Sequence, residues 1–171
     1  MVRTLHFAIL PGVALSLLIA SHTAADIRVV FVESAPKDRF QITNIGNCPV
    51  TDTTIALDLS TSNGALIFDV QENGKGVGVV QPFELVEGAD ALRSVPSVSD
   101  GQSTVALDLT SLEPDQSVAF TIDVDDTLSN RQITVSKSEI EGATVQATTG
   151  EASLTATFTD SGVASLPLAT C

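Results

Sequence analysis

Apolar and polar residues trade places at every second position through most of residues 27–158, and few stretches carry helical spacing. A two-residue period predicts half-buried strands. Residues 27–32 are apolar enough to read as a strand buried on both faces. Residues 39–43 alternate, and Asn44-Ile45-Gly46-Asn47 supplies a turn. In residues 54–60, Ile55, Leu57 and Leu59 share one side, while Thr54, Ala56, Asp58 and Ser60 share the other. An apolar run follows at 65–70, then a loop at 71–78 with three glycines. Strand pattern resumes at 79–86, where Pro82 marks an edge or a bulge.

Residues 89–93 read as one short helical turn. Beyond them, residues 104–109, 117–124, 131–136, 143–148 and 152–158 read as strands, the last two joined by the hairpin turn Thr149-Gly150-Glu151. The fold expected is all-β: an immunoglobulin-like antiparallel β-sandwich of about nine strands, with a closed barrel as the competing architecture. Residues 54–60 recur almost unchanged at 104–110, but the likeness does not extend to either side. That predicts two equivalent strands of a sandwich, not a repeat protein.

The first 25 residues break this pattern. Arg3 gives a basic start, residues 7–20 are apolar around Pro11, and Thr23-Ala24-Ala25 is a small-residue cleavage site before Asp26. This is the layout of a secretory signal, predicting one exported domain over 26–171, periplasmic or extracellular. No second long apolar run follows, so no membrane insertion is expected after cleavage.

Export changes the available chemistry. His6, His22 and Met1 all lie in the signal, and the chain has no Trp or Tyr. The mature protein therefore lacks histidine for general-base work or metal ligation. Ser-His-Asp, Cys-His and HExxH-type zinc sites are excluded. Lys37, Lys75 and Lys137 sit in polar, turn-like contexts that do not lower a lysine pKa. Residues 74–78 lack P-loop spacing. A non-enzymatic protein is the expectation.

Arg3 leaves with the signal and all 21 acids stay, so 7 basic residues against 21 acidic ones give a mature charge of −14. Such a surface repels nucleic acid and anionic membranes. Cys48 and Cys171, the only two cysteines, predict one disulfide in an exported chain.

Acidic residues supply the one candidate site. In a strand, Phe120, Ile122 and Val124 would face the core, leaving Thr121, Asp123 and Asp125 on the opposite, hydrated face, with Asp126 opening the next turn. Asp123, Asp125 and Asp126 are candidate calcium ligands, since hard carboxylate oxygens suit that ion; the alternative is a solvated strand end that resists edge pairing. No cofactor is required by the sequence. A second acidic group, Glu84, Glu87 and Asp90, reads as a polar loop.

Three stretches together, residues 31–40 (FVESAPKDRF), 44–48 (NIGNC) and 120–127 (FTIDVDDT), resemble small exported bacterial proteins labelled aggregation-factor-core proteins. Residues 40–60 are also similar to the asparagine-glycine strand–turn–strand of bacterial cell-surface adhesion sandwiches. The resemblance implies adhesion or matrix association that depends on calcium, with a protein or carbohydrate partner at the cell surface. It supplies no set of functional residues. The function expected is a binding or adhesion module of the envelope or matrix. The rivals are a carboxylate-based hydrolase of envelope polymers and a purely structural envelope protein.

Overall fold

The computed structural model describes residues 25–76, 81–128 and 134–168. They form an antiparallel β-sandwich, as the alternation predicts. The expected signal spans residues 1–25, of which 1–24 lie outside the described residues. Among the described residues no helix is long and apolar enough to cross a membrane.

Eleven strands are present among the described residues: β1 (Ala25–Val32), β2 (Asp38–Asn44), β3 (Val50–Asp58), β4 (Ile67–Phe68), β5 (Glu84–Glu87), β6 (Thr104–Leu112), β7 (Ser117–Ile122), β8 (Val124–Asp125), β9 (Thr144–Thr149), β10 (Ala152–Thr157) and β11 (Val163–Leu168). One sheet runs β11-β1-β2-β7-β5 and the facing sheet β10-β9-β3-β6, while β4 and β8 pair alone. A 3-10 turn at Ala89–Ala91 matches the predicted helical turn.

Several expectations are corrected. In β1, Ile27, Val29 and Phe31 are buried but Arg28 and Val32 are exposed, because each sheet of a sandwich has only one inner face. Residues 131–133 lie outside the described residues, and 134–136 are not strand. Ser136 begins the short helix α1 (Lys137–Ile140), where the Glu139 carboxylate accepts the Ser136 backbone N–H at 2.7 Å. This capping contact competes with extended structure. Strand β11, which carries Pro167, was not among the expected strands. It lies at a sheet edge, where a missing N–H costs little. Pro82 indeed precedes an edge strand, β5, whose register shifts between Leu85 and Glu87.

The repeated segments are direct neighbours. Strands β3 and β6 pair with Ala56 opposite Ala106, Ile55 opposite Leu107 and Leu57 opposite Val105. A local two-fold axis therefore passes between the two alanines. Thr54 and Asp108, one pair it creates, share a 2.6 Å hydrogen bond.

Under the five-stranded sheet, Phe31, Phe40 and Phe120 are register partners on β1, β2 and β7. Ring centroids lie 5.2 Å apart for Phe31–Phe40 and 5.1 Å for Phe40–Phe120, and Phe83 extends the row at 4.7 Å from Phe120. All but the half-buried Phe83 are fully buried, so this row is core, not a ligand platform.

The chain crosses between sheets twice at one end, from β2 to β3 and from β6 to β7. Asn44 joins the two crossings. Its Nδ2 donates to Cys48 O at 2.8 Å and Leu112 O at 2.9 Å, and its Oδ1 accepts the Gly46 N–H at 3.0 Å. Its own backbone bonds Gln116 and Asp115. The side chain is fully buried yet satisfied. Asn44→Ala strands two buried carbonyls and should lower unfolding free energy by about 2–3 kcal/mol. Urea denaturation followed by circular dichroism checks this; a loss under about 0.5 kcal/mol would contradict it.

Candidate functional site

The inner row of β2 reads Asp38, Phe40, Ile42, Asn44, all buried. Polar residues thus close both ends of one apolar row. Around Asp38 the sandwich end collects further carboxylates: Asp69 after β4, Asp123 between β7 and β8, Asp125 in β8, Asp126 just after it, and Asp100 in the turn before β6. Five of them, Asp38, Asp69, Asp123, Asp125 and Asp126, are each at most 6 % exposed.

The predicted ligands Asp123, Asp125 and Asp126 are therefore together, but not where the alternation put them. They are buried instead of standing on a hydrated outer face. The ladder breaks at Asp123, whose N–H donates to Gln81 O at 3.2 Å and whose carbonyl accepts the Asp69 N–H at 3.0 Å. With residue 123 turned out of the sheet, strict alternation no longer dictates which face Asp125 takes. Asp38, Asp69 and Asp100 were missed. Asp38 did carry a signal, being in phase with Phe40 and Ile42; Asp69 and Asp100 come from turns with no period.

Electrostatics follow from this crowding. Burial, with the Asp123 and Asp125 charges nearby, pushes Asp38 up to about 7 despite backbone hydrogen bonds from Ser34 and Val124. Burial, with Asp125 and Asp69, likewise pushes Asp123 up to about 7. Burial, a hydrogen bond shared with Asp100 and repulsion from Asp125 raise Asp69 to about 6. Asp100 goes the other way. Burial opposes its charge, but the Lys75 and Val70 N–H groups, at 2.8 and 3.2 Å, outweigh it and hold the carboxyl below its ordinary value.

Lys37 pairs with Glu84, Arg39 with Glu87 at 3.0 Å and Arg93 with Asp52 at 2.8 Å. Glu84 and Glu87 are thereby tied across the sheet, and Asp90 is exposed on the 3-10 turn, so that second group forms no site. Among the described residues no three or more His, Cys, Asp or Glu side chains are grouped so as to hold a metal ion. Asp69 Oδ1 is buried without a hydrogen-bond partner.

Two depressions mark the surface. A trough of about 570 Å³ crosses the outer face of β3, β6 and β9, floored by Ala56 and Ala106, with Asp58 as its one carboxylate. A smaller one of about 320 Å³ has Glu87, Asp90 and Asp115 at its rim. Cys48, 8 % exposed beside Asn44, is not a free thiol. Its predicted partner Cys171 lies outside the described residues. No protein-family model, curated protein or solved structure matches the chain.

Carboxyls with raised pKa make stability depend on pH with a definite sign. Between about pH 4 and 7 the folded state holds protons on Asp38 and Asp123 that the unfolded chain has released, so stability falls as pH rises through this window. In chelator, the melting temperature should be higher near pH 5 than near pH 8. Equal values, or the reverse order, would contradict the assignment.

Proposed function

We propose that this protein is an exported, non-enzymatic binding or adhesion module of the cell envelope or matrix, calcium-dependent through its acidic end. One observation carries the reading: buried, mutually repelling aspartates gather at one end of the sandwich. A hydrolase would instead present two carboxylates across an open cleft, roughly 5–9.5 Å apart. The open trough offers only Asp58. The trough, neutral apart from Asp58 and edged by Gln146, Thr144 and Thr155, suits a protein or carbohydrate surface better than an anion.

Cosedimentation of the purified mature chain with the envelope fraction of the cells that export it tests the reading. Retention in millimolar calcium and release by chelator are expected. No retention under either condition overturns it, and liberation of soluble sugar or peptide fragments from the envelope would establish the hydrolase in its place.

In the same reading Cys48 and Cys171 are bridged, fastening the end of the chain to the crossing held by Asn44. Closing so long a loop contributes about 4–5 kcal/mol in the chain-entropy model. Denatured, unreduced protein should show no thiol toward alkylating reagents; two titratable thiols would refute the pairing.

A further inference from the structure

We infer that two copies of this chain pair edge to edge through β10, antiparallel about a two-fold axis at Leu154. Their four-stranded sheets then join into one sheet of eight strands. The inference needs neither a cation nor an envelope partner.

Four strands form the edges of the two sheets: β11 and β5 in one, β10 and β6 in the other. Three of them are guarded. Strand β5 is four residues long, shifts register between Leu85 and Glu87, and carries Glu84 and Glu87. Strand β11 carries Pro167. Strand β6 is covered along part of its length, where Leu92 bridges Leu109 and the Arg93 N–H donates to Asp108 O at 2.8 Å. Charges, prolines, bulges and covering segments of this kind keep an edge from recruiting another chain.

Strand β10 has none of these. Residues Ala152–Thr157 include no proline and no charged side chain, and their register with β9 is unbroken. Among the described residues no strand pairs with the other side of β10. Such an edge offers main-chain hydrogen bonds to an added strand. It also leaves a core-side leucine open. Leu154 is the register partner of the buried Ala147 and so points to the inner face of the sheet, yet it is 43 % exposed.

The sequence of β10 selects the occupant. Around Leu154 it reads Ala-Ser-Leu-Thr-Ala, nearly the same from either end. In antiparallel pairing about that residue, Leu154 faces its own counterpart, Ala152 faces Ala156, and Ser153 faces Thr155 of the second copy. Apolar side chains meet on the inner face and hydroxyls on the outer, the matching that stabilises cross-strand pairs. A two-fold contact requires this self-complementarity.

Charge narrows the choice further. With 21 acidic residues against 8 basic, two copies repel one another across most of their surface. An uncharged edge lets them meet without opposing carboxylates. Antiparallel pairing also sets Glu151, just before β10, opposite Thr157, whereas parallel pairing would set each Glu151 against its counterpart.

Sedimentation velocity of the mature protein in chelator, over a concentration series, tests the pairing. A six-residue edge makes a small interface, so a monomer is expected at about 10 μM and a growing dimer fraction toward about 1 mM. Leu154→Lys should hold the chain monomeric at every concentration, with its circular dichroism spectrum unchanged. Trapping gives a second readout that does not rely on that variant. Opposed residues of an antiparallel pair have Cα atoms roughly 4.5–5.5 Å apart, within disulfide range. Under mild oxidant Leu154→Cys should therefore cross-link into a dimer on a non-reducing gel, while Val95→Cys, more exposed still, should not. A wild-type chain that remains monomeric at about 1 mM overturns the pairing. A dimer that persists in Leu154→Lys, or Leu154→Cys linking no faster than Val95→Cys, overturns β10 as its seat.

Discussion

Removing a carboxylate from water costs more than two or three hydrogen bonds return, and the sandwich bears that cost several times over at one end. Asp38 lies in the inner row of β2 directly before Phe40, on the side of the sheet filled by stacked phenylalanine rings. The rings supply a low-dielectric floor, which lengthens the reach of every neighbouring charge. Asp123 and Asp125 then act on Asp38, and Asp69 on Asp123. The strength of the repulsion follows from that floor.

The opposite end of the same strand shows the other solution to polar burial. Asn44 is as deeply enclosed as Asp38, but each of its side-chain atoms has a main-chain partner, and those partners belong to the two crossings between sheets. One end is therefore closed from within by an amide whose bonds are complete. The other holds a carboxyl whose charge burial and its acidic neighbours oppose. A seven-residue strand thus ends in a fully bonded amide at one tip and a carboxyl of raised pKa at the other.

Much of this was legible in the sequence, and the failures have physical causes. Period-two patterning located β2, β3, β6, β9 and β10, and the Gly150 turn between the last two, because one face of each is apolar and local turn chemistry agrees. It erred at residues 131–136, where Ser136 and Glu139 cap a helix, and at β11, which an edge position makes tolerant of Pro167. At the acidic end the pattern named Asp123, Asp125 and Asp126 but assigned them to solvent. Periodicity assumes an unbroken ladder, and the ladder stops at Asp123 because residues distant in sequence, Asp69 and Gln81, take its backbone groups. Asp69 and Asp100 were invisible for the same reason: their roles arise from loops meeting in space.

The local two-fold between β3 and β6 bears on how the chain assembles. Thr-x-Ala-x-Asp on either strand meets Asp-x-Ala-x-Thr on its partner, and the same match results when β3 faces a second β3 or β6 a second β6. Over those five positions, where only Ile55 and Val105 differ, register is preserved in every such combination. The tether favours the intramolecular pairing by keeping the two segments at high effective concentration. Refolding from concentrated solution consequently places this pair, before any other, in competition with strand exchange between chains.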